Sequence, residues 1–383
     1  MNLIALKMLV GDKLKYLSLV AGLAFAALLV TQQASIFTGF ALQTGAWIRD
    51  TSVADLWVMD DQVEFTEDIK PMLDTALTRV RGVDGVLWAV PMFKSFVGVT
   101  LPDGTRRNIR LIGLDDATLT GGPPELLQGR LEDLKQDKAV IMDANATTQL
   151  RFKRTPGEPR SLQVGDRLSI NDNEAVVVGS FRASKEFFWE PVLYTTYSRA
   201  TFWAPDTRRK LQYVLVKVRP DADVQQVADR IKATTGLKAM SSRQFETQTM
   251  EWILRETGIL ANFGITIALG FIIGVLASGQ TLYQFMVENL RHFGAIKAMG
   301  ANNWTILRMV LIQVLLVGSV GYGIGLGVAC IAGMFLGGAG LAFHMTWHIP
   351  VLGAVAILLC CATSAVVSLV RVIRLEPAVV FKG

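Results

Sequence analysis

Four long apolar segments without charged residues constrain this chain more than any other feature. They cover residues 17–40, 259–283, 309–336 and 350–370 of a chain of 383 residues. A helix that crosses a bilayer needs roughly 20 apolar residues, so each segment is long enough. The sequence therefore predicts an α-helical membrane protein with four transmembrane helices, and the 218 residues at 41–258 form a large domain between helices 1 and 2.

Lysine and arginine residues indicate the orientation of these helices. The N-terminal segment 1–16, the link 284–308 and the tail 371–383 all contain them, whereas the loop 337–349 contains none. Because basic residues favour the cytoplasmic side, we expect both termini and the link in the cytoplasm. The domain and the short loop then lie outside. The apolar and polar residues of segment 1–16 also predict an amphipathic helix along the inner membrane surface.

The pattern of the large domain predicts α+β structure. Its flanking parts, 51–116 and 206–248, resemble two βαβ-like halves, with a helix expected at 64–80. The middle part, 117–205, is predicted to be a β-rich insertion. Residues 249–258 complete an amphipathic stalk that we expect to continue the second span outward as one helix.

Two further observations concern chemistry in this domain. It contains no histidine and no cysteine, so we expect no histidine- or cysteine-based catalysis and no metal site there. It does contain a run of aromatic residues that begins at Phe187, Phe188 and Trp189. Core packing and a surface for a protein partner or lipid-like substrate are both compatible with this run.

No G-x-x-x-x-G-K-[ST] phosphate loop occurs in the chain, and the four spans contain no Asp, Glu, Lys, Arg or His residue. The first observation argues against ATP hydrolysis by this polypeptide in the P-loop manner. The second argues against an ion-driven carrier, because such carriers use ionisable groups within the membrane. If the chain takes part in active transport, another chain has to provide the energy.

The cytoplasmic link carries the most specific motif. It contains Glu288, Arg291, Phe293, Gly294, Lys297, Ala298, Met299 and Gly300. A short charged helix between two spans suits docking onto a cytoplasmic partner, although an ordinary polar turn would also fit. The motif resembles the coupling segment of MacB/FtsX-like ABC transporter permeases. The tail residues Arg371, Arg374 and Pro377 and the one-plus-three order of spans match this family as well.

The resemblance is closest to DevC-type permeases, which lack a fused ATPase domain. It implies a multi-pass protein of the cell inner membrane whose partner ATPase binds ATP and magnesium, while this chain binds no cofactor. It also implies a permease homodimer, a periplasmic membrane-fusion adaptor and, in some systems, an outer-membrane channel. The motif residues 288–300 would contact the ATPase, the tail residues would contribute to that contact, and the aromatic residues 187–189 would face adaptor or substrate.

The resemblance leaves several functions open. An exporter of a lipid, peptide or drug-like substrate is the first expectation, and an FtsX-like regulator of a periplasmic hydrolase or a lipoprotein-releasing permease are the alternatives. The spacing of Gly270 and Gly274 allows close helix approach in lipid. We predict these glycines at the dimer seam, with packing inside one chain as the alternative.

Overall fold

The structure is a computed structural model. It describes residues 11–51, 53–145, 149–153, 158–186, 190–204, 211–289, 292, 294–296, 299–300, 302–338 and 341–373. The chain divides into two compact units. The helical unit comprises residues 1–41 and 257–383, and the α/β unit comprises residues 42–256.

Four long helices run through the helical unit: α1 Lys13–Thr44, α7 Ile259–Glu288, α8 Asn303–Gly338 and α9 His348–Ile373. Within the described residues, these are the four helices long and apolar enough to cross a membrane. Residues 13–16 belong to α1, so this part of the predicted surface helix 1–16 continues into the span. Residues 1–10 of that prediction lie outside the described residues.

Helix α1 contacts all three other spans, and small residues make these contacts possible. A Cβ atom on Gly274 of α7 would lie 2.6 Å from Ala26 Cβ, and one on Gly321 of α8 would lie 3.0 Å from Leu23 Cβ. On α9, a Cβ atom at Gly353 would lie 2.9 Å from Thr31 Oγ1. Larger residues at these positions would push the helices apart, so glycine sets the spacing of the bundle.

The described part of the α/β unit contains five short or medium α-helices besides the end of α1, and one 3-10 helix at Leu131–Lys135. Two of them stand next to the spans in sequence, α2 Ala46–Asp50 and α6 Ser242–Glu256. The others are α3 Thr75–Arg81, α4 Tyr197–Trp203 and α5 Val224–Thr235.

The described strands of this unit are mostly joined in one ten-stranded sheet, ordered β12-β1-β11-β2-β3-β10-β5-β9-β4, with β8 paired to β2 and β9. Their bounds are β1 Leu56–Met59, β2 Val86–Thr100, β3 Arg106–Leu114, β4 Glu125–Gln128, β5 Ala139–Asp143, β6 Arg151–Lys153, β7 Pro159–Ser161, β8 Arg167–Ile170, β9 Asn173–Arg182, β10 Val192–Thr196, β11 Tyr213–Val218 and β12 Lys238–Ser241. Strands β6 and β7 form a separate pair.

The flanking parts of the unit interlock rather than stand side by side. The sheet order places β11 between β1 and β2, and β1 between β11 and β12, with antiparallel pairing throughout. The units β1-α3-β2 and β11-α5-β12 are therefore two split βαβ motifs, as in ferredoxin-like folds. The βαβ-like character predicted for both parts is confirmed, and the strands of the segment 117–205 extend the same sheet beyond β2 and β3.

Two sequence predictions for this unit are wrong in detail. The helix expected at 64–80 begins only at Thr75, because Pro71 lacks an N–H and restricts the residue before it. The stalk is not continuous with the second span, because α6 ends at Glu256 and α7 begins at Ile259. Between them, Gly258 adopts a left-handed backbone conformation with φ of +65°, which interrupts the helix.

Candidate functional site

The two segments that link the domain to spans one and two in sequence, α2 and α6, share one aromatic cluster. It consists of Trp47 from α2, Trp57 from β1, Tyr213 from β11 and Phe245 from α6, all buried. The ring centroids of Trp47 and Trp57 are 4.9 Å apart, and those of Trp57 and Phe245 are 5.7 Å apart. Both segments therefore rest on the same two neighbouring strands, β1 and β11.

Polar contacts join the same two helices directly. Arg49 of α2 forms an ion pair with Glu246 of α6. Gly45, just before α2, lies so close to Glu246 that a Cβ atom there would overlap its side chain. A larger residue at position 45 would therefore displace the Glu246 side chain from its ion pair with Arg49.

The second half of α6 is held by the loop after β1. Trp252 stacks on Phe65 with ring centroids 3.8 Å apart, and its Nε1 donates to the Glu64 carboxylate over 2.6 Å. One turn earlier, Gln248 Nε2 donates to the carbonyl oxygens of Val63 and Glu64. Helix α6 is therefore fixed to the domain along most of its length.

A cluster of four charged side chains lies beside the aromatic cluster. Lys94 of β2 and Arg110 of β3 are almost fully buried and contact Glu67 and Glu186. Lys94 Nζ lies 2.7 Å from Glu67 Oε1 and 3.7 Å from Glu186 Oε2, and Arg110 lies 3.1 Å from Glu67 and forms a second ion pair with Glu186. Lys94 Nζ also lies 4.0 Å from the centre of the Trp47 ring. We call these four residues the charge cluster.

Burial and neighbouring charges oppose each other in this cluster. Burial lowers the pKa of Lys94, and the carboxylates of Glu186 and Glu67 counteract it only in part. Burial alone would raise the pKa of Glu67, but the charges of Lys94 and Arg110 outweigh it, so that the pKa lies below its ordinary value. The carboxylate of Glu67 is thus kept ionised by two buried cations.

The structure shows part of the link 284–308 between α7 and α8. Glu288 is the last residue of α7 and pairs with Lys15 of α1, which lies 2.7 Å from Asp12 as well. A carboxylate at a helix C-terminus is unfavourable without a cation, so Lys15 explains its position there. Glu288 therefore ends a helix rather than capping the first turn of a new one.

Further along the link, Ile296 is buried against Met309 of α8, whereas Met299 is 78% exposed. The amide of Met299 donates to the carbonyl of Ala295, and Gly300 has a φ of +93°. Gly294 is half-buried. The link is thus anchored by Ile296 and exposes Met299 next to a left-handed glycine.

Trp304 of α8 is 69% exposed and lies just after this glycine in sequence. The sequence interpretation did not include it, because it follows the motif. The sequence does place a tryptophan five residues after Met299. This proximity is a signal for a binding surface, since aromatic residues and methionine are enriched there.

Several predicted site residues lie outside the described residues: Arg291, Phe293, Lys297 and Ala298 of the link, Phe187, Phe188 and Trp189 of the domain, and Arg374 and Pro377 of the tail. Arg371 is described only as part of helix α9. The roles of these residues remain predictions.

Gly270 and Gly274 are placed differently from our expectation. Both are buried against α1, where their nearest side chains are Leu29 and Ala26. The alternative, packing inside one chain, is what the structure shows for these two residues. A dimer seam on this helix stays a prediction and would have to use its outward face.

Comparison with known protein families identifies the family to which the chain belongs. A model described as the MacB-like periplasmic core domain matches residues 17–234, which is more than half of the chain. This chain belongs to the MacB/FtsX-like family of ABC transporter permeases. A second model, the FtsX-like permease C-terminal domain, matches residues 264–377 of the permease. It has four helices long and apolar enough to cross a membrane and an α/β periplasmic domain, and it is a multi-pass inner-membrane protein.

Individual relatives are distant. An uncharacterized ABC transporter permease of Methanocaldococcus jannaschii is 22% identical over 161 residues, which cover 40% of this chain and 39% of the relative. Similar solved structures include the periplasmic region of MacB from Actinobacillus actinomycetemcomitans, with 17% identity, a TM-score of 0.37 and coverage of 53% of this chain and 95% of the other. The extracellular domain of the transporter YknZ from Gram-positive bacteria has 15% identity, a TM-score of 0.34 and coverage of 49% and 99%.

Proposed function

We propose that this permease transmits the movement of a separate ATPase to its periplasmic domain. The observation that carries the proposal is that α2 and α6 contact the same part of the domain and each other. These helices are the parts of the domain next to α1 and α7 in sequence, and both rest on one aromatic cluster and pair through Arg49 and Glu246. A displacement of either segment would therefore act on strands β1 and β11 of the domain.

The cytoplasmic link is the proposed docking element for the ATPase. Ile296 anchors the link to α8, and the exposed side chain of Met299 is free to enter a pocket on a partner. In this proposal Phe293 is a second apolar contact, and Arg291 and Lys297 supply charge at its rim. ATP and magnesium bind to the partner, and this chain performs no catalysis itself.

The proposed transport mode is extrusion from the periplasmic side. The spans contain no charged residue between 17 and 44, 259 and 287, or 309 and 370. Such helices offer little to line a polar path through the membrane. We infer that the substrate, a lipid, peptide or drug-like molecule, is taken up outside and passed on with a periplasmic adaptor and an outer-membrane channel. The termini then lie in the cytoplasm.

The proposed homodimer uses the outward face of α7. Only 11% of the apolar window of this span is buried inside the chain, against 33–39% for the other three spans. Its exposed residues include Ile265, Leu269 and Leu276. A second copy would cover this face, and single cysteines at Ile265 and Leu276 in a chain without its own cysteines would form crosslinks between copies.

The test separates docking from transmission in the permease reconstituted with its ATPase. Phe293→Ala should reduce assembly and stimulation of ATP hydrolysis, whereas Asn302→Ala, at an exposed position of the same link, should not. Glu246→Gln should leave assembly and ATP hydrolysis intact but reduce ATP-dependent movement of the domain, measured with paired spin labels on β1 and β9. Substrate efflux, measured in the same vesicles with adaptor present, distinguishes an exporter from a regulator.

The proposal fails if Phe293→Ala and Glu246→Gln both behave like the unaltered permease. It also fails if the domain shows no ATP-dependent movement in the assembled complex. Phe245→Ala is the stronger variant of the transmission arm, and Phe202→Ala is its control because Phe202 is 72% exposed whereas Phe245 is fully buried.

A further inference from the structure

The segment Ala183–Glu186 leaves the end of β9 and is tied to three different elements. Asn145 Nδ2 donates to the carbonyl of Ala183 over 2.8 Å. The amide and hydroxyl of Ser184 donate to the two carboxylate oxygens of Asp50, the last residue of α2, over 2.9 and 2.8 Å. Glu186 enters the charge cluster through Arg110. We call residues 183–186 the strap.

A buried carboxyl group lies under the strap. Asp143 ends β5 and is 2% exposed. It accepts the amide of Asn145 over 2.8 Å and also the amide of Ala183. Burial raises the pKa of Asp143 to about 6, the charge of Asp50 adds to this, and the two amides and Lys185 act in the opposite direction. Its proton therefore dissociates within the range of pH that a periplasmic domain meets.

Two charged groups act on Asp143 directly, Asp50 of α2 and Lys185 of the strap. Asp143 acts in turn on the buried phenol of Tyr194 of β10, on which Asp50, Glu186 and Arg110 act as well. The pKa of Tyr194 is raised by its burial and then by Asp50, Glu186 and Asp143, so this group stays neutral. Glu186 is paired with Arg110, and Lys94 and Glu67 complete the charge cluster beyond it. Asp50 is therefore the anion whose position responds to ionisation of Asp143.

We propose that protonation of Asp143 controls how firmly the strap is held to α2. When Asp143 is neutral, Asp50 is free of a like charge and holds Ser184 through two hydrogen bonds. When Asp143 ionises, its burial becomes unfavourable and the charge of Asp50 adds to this, whereas Lys185 and the amides of Asn145 and Ala183 compensate only in part. The strap then loosens at the end that contacts α2. Since α2 follows α1 in sequence, outside acidity would act on one of the two helices that link the domain to the spans.

The direction of the pH effect follows from the raised pKa. Between about pH 4, the ordinary value for an aspartate, and about pH 6, the folded protein binds more protons at this site than the unfolded chain does. The stabilising contribution of the protonated group is therefore lost as the pH rises through this window. The strap is tightest in mild acid and loosest at neutral pH.

Hydrogen exchange of the complete permease in nanodiscs tests this inference between pH 5 and 8, after correction for the intrinsic exchange rate. Protection of the strap amides should fall about tenfold as the pH rises, which corresponds to about one pKa unit of interaction. Asp143→Asn keeps a side-chain oxygen that can accept from the backbone but cannot ionise. This variant should therefore show high protection of the strap at every pH.

Two further variants make the result specific. Asp50→Asn keeps an oxygen for Ser184 but removes the like charge, so the midpoint of the transition should move to lower pH. Asp221→Asn, at an exposed turn, should leave the transition unchanged. Constant protection of the strap in the unaltered protein, or an undiminished transition in Asp143→Asn, overturns the inference. The readout needs no ATPase, so its outcome is independent of the proposed function.

Discussion

The two units of this permease bury polar groups in different ways. The core of the α/β unit contains two cations and two carboxylates, each within 4 Å of a partner of opposite charge. The core of the helical unit contains hydroxyl groups and close glycine contacts, such as Ser278 against Ser364 and Gly274 against Ala26. The first unit is joined by charge pairs between distant segments, and the second by the shape of its helices.

The difference follows from what each unit has to hold. In the α/β unit, Glu67 and Glu186 come from irregular segments that no strand pairing fixes, so their ion pairs with Lys94 and Arg110 hold those segments in place. A helix in lipid already satisfies its own backbone, and neighbouring helices need only close approach. Buried charges would add cost in the membrane without a comparable gain, because partners are scarce there.

The largest effect is expected from breaking the charge cluster. Arg110→Met leaves Glu186 and Glu67 with Lys94 alone, and loss of one partner from a buried ion pair costs about 3–5 kcal/mol. Urea unfolding of the complete chain in nanodiscs, followed by hydrogen exchange of the β2 and β3 peptides, measures this loss. Arg182→Met is the matched control, because Arg182 pairs with Glu125 at an exposed edge. Equal stability of the two variants would contradict the importance we give to buried charge.

The charge cluster also shows where sequence interpretation reaches its limit. The spans and most strands of the domain were predictable because apolar length and alternation are local signals. The charge cluster was not, because its members come from four segments far apart in the chain. The same cluster explains part of the error at 64–80, where helical spacing was overridden by Pro71 and by the pairing of Glu67.

A smaller effect is expected from altering the shape of the helical unit. Gly274→Leu places a side chain where Ala26 already lies, and overpacking of this kind costs about 1–3 kcal/mol. Gly264→Leu is the control on the same helix, because a Cβ atom there would meet no atom of another described segment within 4 Å. Both changes raise helix propensity equally, so their difference in resistance to unfolding in detergent isolates the contact with α1. If Gly264→Leu is the more damaging change, α7 does not face α1 in this way.

The glycines also show why the sequence alone could not decide between a dimer seam and packing inside one chain for Gly270 and Gly274. Spacing at i, i+4 reports that a helix is approached closely, but it does not report whether the neighbour belongs to the same chain. In α8 the same spacing occurs twice. Gly321 and Gly325 face α1, whereas a Cβ atom at Gly323 or Gly327 would meet no described atom outside its own helix backbone within 4 Å. Glycines with the same spacing thus lie on two different faces of α8, and only one of these faces packs against α1.

The smallest effect is expected from the hydroxyl pair in the helical unit. Ser278 Oγ and Ser364 Oγ are 2.7 Å apart and both are buried, and each hydroxyl also has a backbone carbonyl of α7 within reach, Gly274 for Ser278 and Val275 for Ser364. Those carbonyls remain available when one partner is removed. Interhelical hydrogen bonds in membranes contribute only about 0.6 kcal/mol on average for this reason. We therefore expect a double-mutant cycle of Ser278→Ala and Ser364→Ala to give a coupling energy of this size, measured by unfolding in detergent. A coupling as large as the loss in Arg110→Met would show that polar pairing, rather than helix shape, holds the helical unit together, and the contrast between the two units would disappear.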